Sequence, residues 1–294
     1  MLRIAGNIAS DFFGLIRVCG FRVALRWLAM IVLHFPQCVR EGNLQAADRA
    51  MGSGPFYPRL RGARAILNDP YVISSIREIW VRDVYLNGGY LTIPPGATVL
   101  DLGANRGLFT ALALGSHPDV RCVCVEPRLS DCDIIRHMLK INGWESRAEI
   151  CSAFLGGETQ IQRDMVATEQ QGIQQEYLSE EEFVRRYALT KVDLIKCDIE
   201  GSEFELLRPG SKLLAMADQL AIEVHGGTDD PKRRQFVEMI RDQGFDVIVR
   251  AESALDCIIN GKRRRPANSG AGASAGAATS TSNSSAAAAA VART

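Results

Sequence analysis

The stretch VLDLGANRGLFTALA, Val99–Ala113, joins an apolar run, an acid, a glycine turn and a helix start within fifteen residues. The run ending at Asp101 reads as a buried strand, because it lacks the polar alternation of a strand with one wet face. Gly103 and Gly107 let the backbone bend tightly and approach another group with no Cβ in the way. A helix starts near Gly107. Strand, tight turn and helix in that order are the unit of parallel sheets with helices on both faces, and such sheets bind ligands at this turn.

The spacing within the turn selects among ligands. A dinucleotide fingerprint would read G-x-G-x-x-G and place a pyrophosphate on the helix N-terminus. Here Asn105 stands at the middle position, and Asp101 lies two residues before the first glycine. A carboxylate at the strand end repels pyrophosphate and suits a cationic ligand. S-adenosyl-L-methionine carries an ammonium and a sulfonium, and Asn105 with the backbone suits its carboxylate. Further on, VRCVCVEP ends a second apolar run in Glu126, placed to accept hydrogen bonds from both ribose hydroxyls of an adenosine. NAD carries the same ribose, so Glu126 alone leaves both cofactors open.

With 294 residues, 47% hydrophobic and 23% charged, the chain is long enough for one ordinary globular domain with appendages. Thirty-four basic and thirty-four acidic residues cancel, so no global field favours nucleic acid, and no nucleic-acid partner is expected. The eight cysteines show no metal-ligand spacing and read as reduced core thiols, which points to the cytoplasm. Cys122 and Cys124 face one side of a strand and are too close in sequence for a zinc-knuckle pair.

Residues 1–40 are apolar but interrupted by Arg3, Asp11, Arg17, Arg22 and Arg26, leaving no uncharged run of the roughly 18 residues that spanning requires. Their pattern fits a helical lid packed on the core; the second reading is an amphipathic helix in peripheral contact with a membrane. Residues 41–96 are mixed, with turns at Gly52–Pro55 and Asn87–Gly89, and IREIWVRDVYL as an amphipathic or strand-like lead into the core. From Thr98 strand and helix alternate: Thr98–Leu102, Leu108–Leu114, Arg121–Glu126, Ser130–Ile141 and Glu149–Phe154. Ser179-Glu180-Glu181-Glu182 reads as a capping-box helix start, and VDLIKCDIE, LAIEVHG, FDVIV and ALDCIING supply four more strands. The pattern predicts a Rossmann-like α/β fold, a doubly wound, mostly parallel seven-stranded sheet with helices on both faces and an antiparallel edge hairpin. The organisation expected is an N-terminal helical extension over 1–78, a catalytic domain over 79–262 and a disordered Ala/Ser/Gly-rich tail over 263–294.

A second constellation lies in LIKCDIEGSEFELL, Leu194–Leu207, where a lysine and three acids sit in and just after a buried strand. Lys196 and Asp198 share a strand face and can lessen each other's desolvation cost, so a structural ion pair and a functional role are both open for Lys196. Asp198 and Glu200 emerge at the carboxyl end of the strand, where such sheets place their chemistry. His225 stands at the corresponding end of LAIEV and is a candidate proton acceptor. No ligand-spacing signature joins Asp198, Glu200 and His225, and no metal is expected.

Both constellations together resemble the FkbM-type family of class I S-adenosyl-L-methionine-dependent methyltransferases. VLDLGANRGLFT is similar to that family's cofactor loop, and VDLIKCDIEGSEFELL with LAIEVH to its K-x-D-x-E-G-x-E block and E-x-H strand. The likeness covers roughly Ile79–Ile259. It implies a transferase using S-adenosyl-L-methionine, with Asp101, Gly103, Asn105, Gly107 and Glu126 at the cofactor and Ser152 and Ala153 bordering the adenine. It further implies methylation of a hydroxyl on a sugar, glycan or secondary metabolite, with Asp198 or His225 as the base and Lys196 holding Asp198 ionised. A NAD(P)-dependent oxidoreductase and a non-catalytic scaffold of the same fold are the competing readings.

Overall fold

A computed structural model describes residues 2–69, 71–156, 158–168, 176–199, 201–225, 230–251 and 256–264; for residues 2–7, Ile161, Met165, Thr168, His225, Ala251 and Asp256 it describes the backbone alone. The tail from residue 265 onward lies outside the described residues.

Seven strands form the central sheet: β1 (Thr98–Leu102), β2 (Arg121–Val125), β3 (Ala148–Cys151), β4 (Leu194–Cys197), β5 (Gln219–His225), β6 (Phe245–Ala251) and β7 (Asp256–Arg263). Their order across the sheet is β6-β7-β5-β4-β1-β2-β3. The strands β5, β4, β1, β2 and β3 run parallel, and β7 is antiparallel to both β5 and β6. The order reverses at β1 and β4, the point at which open α/β sheets bind their ligands.

The residues of the central strands β1, β2 and β4 are buried on both faces, which is why those runs are continuously apolar. Val99, Cys122, Cys124 and Leu194 pack into the core on one face, whereas Leu100, Leu102, Val123 and Ile195 pack into the core on the other. The apolar helix α6 (Leu108–Ser116) joins the first core, and the more amphipathic α7 (Leu129–Asn142) covers it through Ile135 and Met138. The expected strand over Glu149–Phe154 divides: β3 ends at Cys151, and Phe154–Leu155 pairs separately with Tyr177–Leu178. The expected capping box is present at Ser179, whose hydroxyl accepts from the Glu182 amide at 3.2 Å.

The N-terminal helices are α1 (Leu2–Cys19), α2 (Phe21–Leu33), α3 (Phe35–Glu41) and α4 (Gln45–Ala50), and the short α5 (Val72–Ser75) follows. Leu15, Trp27 and Ile31 enter the same buried cluster as Val99 and Phe109, with α1 packed on α2 and on the turn at Ile76–Val81. A buried ion cluster fixes it there. The Arg77 guanidinium donates to Asp11 at 2.7 Å and to Asp48 at 2.5 Å, Arg82 donates to Asp11 at 2.7 Å, and the Trp27 indole donates to Asp48 at 2.8 Å. Arg77 belongs to a π-helical turn, Ile76–Val81, so IREIWVRDVYL begins as a helix and not as a strand.

Candidate active site

The carboxyl ends of the parallel strands bring the two sequence constellations together. Gly103 follows β1 with φ +73°, and a Cβ there would lie 1.7 Å from the Asp198 carbonyl oxygen, so only glycine lets the ends of β1 and β4 approach this closely. Asn105 has φ +50°, a left-handed conformation that asparagine tolerates better than most residues. Gly107, at φ +76°, precedes α6.

Two clefts meet at this edge. The first has a volume of about 120 Å³ and is lined by Gly103, Asn105, Glu126, Ala153, Phe154, Leu155 and Asp198 among others. Glu126 closes one side: its Oε2 accepts from the Asn105 amide at 2.8 Å and its Oε1 from the Arg128 amide at 2.9 Å. Burial raises its pKa above the ordinary 4.5, against the lowering effect of those two backbone donors. Each oxygen keeps lone-pair capacity for a further donor. Ala153 is part of the apolar wall, whereas the Ser152 hydroxyl is 3.3 Å from Cys132 Sγ, which it meets as a hydrogen-bond donor. The second cleft is lined by Ser75, Glu78, Tyr85, Arg106, Lys196 and Asp198, and shares Gly103 and Asn105 with the first.

Asp101 stands behind this edge. Its exposure is 0%, its Oδ2 accepts from the Thr110 amide at 3.0 Å and the Thr110 hydroxyl at 2.7 Å, and its Oδ1 lies 3.4 Å from Lys196 Nζ. The direct contact with a cationic ligand expected from its place in the sequence is therefore replaced by an internal task. It caps the first turn of α6 and is the counter-ion of Lys196, its cross-strand partner in the β1–β4 register. Lys196 Nζ also donates to the Gly103 carbonyl at 2.5 Å and lies 3.7 Å from Asp198 Oδ2. Burial pushes the Lys196 pKa down, but the carboxylates of Asp101 and Asp198 outweigh it and hold the ammonium above its usual range.

The residue that sequence reasoning missed is Tyr85. Its hydroxyl lies 3.1 Å from Asp198 Oδ2 and 2.9 Å from Glu223 Oε2, and donates its one proton to either. Burial first, and then the charges of Asp198 and Glu223, raise its pKa well above 10, so it remains a donor. Glu203, at 0% exposure, accepts through Oε1 from the Ile199 and Gly201 amides at 3.0 and 3.1 Å and so shapes the loop after Asp198. Glu200 and the His225 side chain lie outside the described residues. The backbone of His225 ends β5 opposite Asp256 of β7.

The arrangement provides a cleft with a carboxylate for a diol and an apolar wall, joined at Asp198 to a polar cleft with hydroxyl, carboxylate and guanidinium groups. A family profile described as the methyltransferase FkbM domain matches residues 101–247, half of the chain. The AMB antimetabolite synthetase AmbE of Pseudomonas aeruginosa is 25% identical over 236 residues, a match covering 61% of this chain and 11% of that protein. The chain thus spans about a tenth of the length of the curated relative it matches. Among solved structures, a precorrin-6y C5,15-methyltransferase from Geobacter metallireducens is similar with a TM-score of 0.43 and 15% identity, covering 63% of this chain and 88% of that one. The N-terminal domain of EvdMO1, solved in the presence of SAH and D-fucose, is similar with a TM-score of 0.35 and 15% identity, covering 57% and 76%.

Proposed function

Because the chain belongs to the FkbM methyltransferase family, we propose that it transfers a methyl group to the oxygen of a hydroxyl on a sugar, glycan or secondary metabolite. At the coarser level, membership of that family supports an S-adenosyl-L-methionine-dependent methyl transfer. The first cleft fits that cofactor. Glu126 offers lone pairs to the ribose diol, Ala153 and Leu155 offer an apolar wall to the purine, and Asn105 with the turn amides suits the amino-acid end.

One observation carries the choice of oxygen. Asp198 lines both clefts, with Tyr85 and Lys196 against its Oδ2, which leaves Oδ1 for an acceptor hydroxyl. When bound, the cofactor supplies a methyl group already activated by its sulfonium, so the chain has only to orient the acceptor and take its proton. An alcohol holds that proton too tightly for a carboxylate to remove it beforehand, so Asp198 accepts it as the new C–O bond forms. Tyr85 and Lys196 keep the carboxylate pointed at the junction. Ser75 and Arg106 suit a hydroxyl-rich acceptor. Eight unpaired thiols suit a reducing compartment and favour the cytoplasm.

Calorimetric titration with S-adenosylhomocysteine, with NAD in parallel, is expected to give micromolar binding of the first and none of the second. Asp198→Asn is then expected to keep S-adenosylhomocysteine affinity while slowing label transfer from methyl-labelled cofactor to hydroxylated acceptors by ~100-fold or more. Undiminished transfer by Asp198→Asn moves the base elsewhere, and labelling of an amine in preference to a hydroxyl overturns the choice of oxygen.

A further inference from the structure

The N-terminal helices bury one face and leave a second apolar face outside. On α2, Ala24, Trp27 and Ile31 are buried, whereas Phe21, Leu25 and Val32 are 59%, 50% and 69% exposed. The spacing of those three places them on a single stripe of the helix, with Arg22 and Arg26 along its flank. On α1, Phe13 is 69% exposed one turn before Arg17, and on α3, Phe35 and Val39 are exposed one turn apart.

The charge of this region is one-sided. Residues 2–41 and 52–68 contain eight arginines against two acids, Asp11 and Glu41, in a chain whose charges cancel overall. Arg17 lines a cleft with Arg59, Arg61, Arg64 and Arg82. Arg61 is paired with Asp83 at 2.6 Å and Arg82 with Asp11 at 2.7 Å. Arg59 and Arg64 face each other across a two-residue antiparallel ladder, and among the described residues no carboxylate stands within ion-pair distance of either. Two like charges in direct register destabilise such a ladder, and an anion between them would relieve it.

We propose that the face formed by α1–α3 and the Arg59–Arg64 hairpin docks on an anionic phospholipid bilayer. The apolar stripe enters the boundary between headgroups and acyl chains, and the arginines meet lipid phosphates. No helix among the described residues is long and apolar enough to cross a membrane, so the contact lies on the surface. A second copy of the chain fits this face less well, because a twofold contact would set the arginines against one another. Nucleic acid would use the aromatic rings and the arginines, but gives Leu25, Val32 and Val39 no apolar partner.

The test is co-sedimentation of the full chain with phosphatidylcholine vesicles, with and without phosphatidylglycerol. Binding is expected only with the anionic lipid, weakening as salt is raised. The triple variant Phe21→Ser, Leu25→Ser, Val32→Ser is expected to lower the vesicle partition coefficient by ~10-fold or more. The double variant Arg59→Gln, Arg64→Gln is expected to lower it and to flatten its salt dependence. Both variants should keep the parent melting temperature and S-adenosylhomocysteine affinity, since the substituted side chains are exposed and line neither cleft at the carboxyl edge of the sheet. Equal binding to neutral vesicles, no binding to either, or a dimer in solution that the triple variant dissolves while vesicles bind neither form, each overturns the proposal.

Discussion

Glu126 answers two demands that pull its charge in opposite directions. Burial favours its neutral form and lifts its pKa above 4.5, whereas a ribose diol is held by the carboxylate, which accepts from both hydroxyls. For folding, the stability this group contributes is present below its unfolded value and is lost as pH rises through the raised folded one. For binding, the sign reverses. Affinity for S-adenosylhomocysteine is expected to climb with pH over a window opening above 4.5, and Glu126→Gln to weaken binding by ~10- to 100-fold and remove that climb. A flat calorimetric profile in the parent would show that this carboxyl does not hold the ligand. Asp101 behaves differently because it serves Lys196 and Thr110. Asp101→Ala leaves the ammonium buried beside one carboxylate fewer, and is expected to cost roughly 3–5 kcal/mol of stability in urea unfolding. Loss of cofactor affinity with no loss of stability would restore the direct contact that the sequence suggested. The two roles are indistinguishable in sequence for a physical reason. An acid at a strand end looks the same in sequence whether it faces a ligand or the next strand, and the β1–β4 register that pairs Asp101 with Lys196 joins residues 95 positions apart.

Elements whose signals are local were legible. The strands at 98–102 and 121–125, the helix at 129–142 and the capping box at Ser179 each carry their own period or cap, and the structure forms them close to where those signals stand. IREIWVRDVYL has no such signal. One of its two buried charged residues, Arg77, is explained only by two acids on other helices, 66 and 29 positions away. Tyr85 in the same stretch acquires its place from Asp198 and Glu223, more than a hundred positions on. The Arg77 cluster therefore predicts how the N-terminal helices are held. Within it, four guanidinium contacts outweigh burial and lower the Asp11 pKa, while burial dominates at Asp48 and raises it. Arg77→Met would leave both acids without their shared cation, a loss of roughly 3–5 kcal/mol. At about 2–4 °C per kcal/mol for a domain of this size, the melting temperature is expected to fall by roughly 10 °C. A fall of a degree or two would mean that the helices are held by apolar packing alone.

At the scale of the molecule, the sequence suggested a boundary near residue 78, but the core crosses it. Leu15, Trp27, Ile73, Trp80, Val99 and Phe109 lie in one buried cluster, and residues 1–264 form one compact unit. The second cleft depends on this continuity, since Ser75 and Glu78 come from one side of the suggested boundary and Tyr85, Lys196 and Asp198 from the other. Removing residues 1–78 would take Leu15, Trp27 and Ile73 out of this cluster and uncover the side of α6 that packs on Ala63–Arg64. Burial of large side chains such as these contributes about 1.5–3 kcal/mol apiece, so losing several exceeds the few kcal/mol by which domains are stable. A chain limited to residues 79–262 is accordingly expected to lose cooperative thermal unfolding and to bind a hydrophobic dye. A chain ending at residue 267 has lost only an Ala/Ser/Gly-rich stretch with almost no large apolar side chain, and is expected to melt at the parent temperature. Scanning calorimetry on the two truncations separates the cases: a sharp, parent-like transition for 79–262 would make the N-terminal helices an appendage, and the second cleft would then have to work without two of its walls.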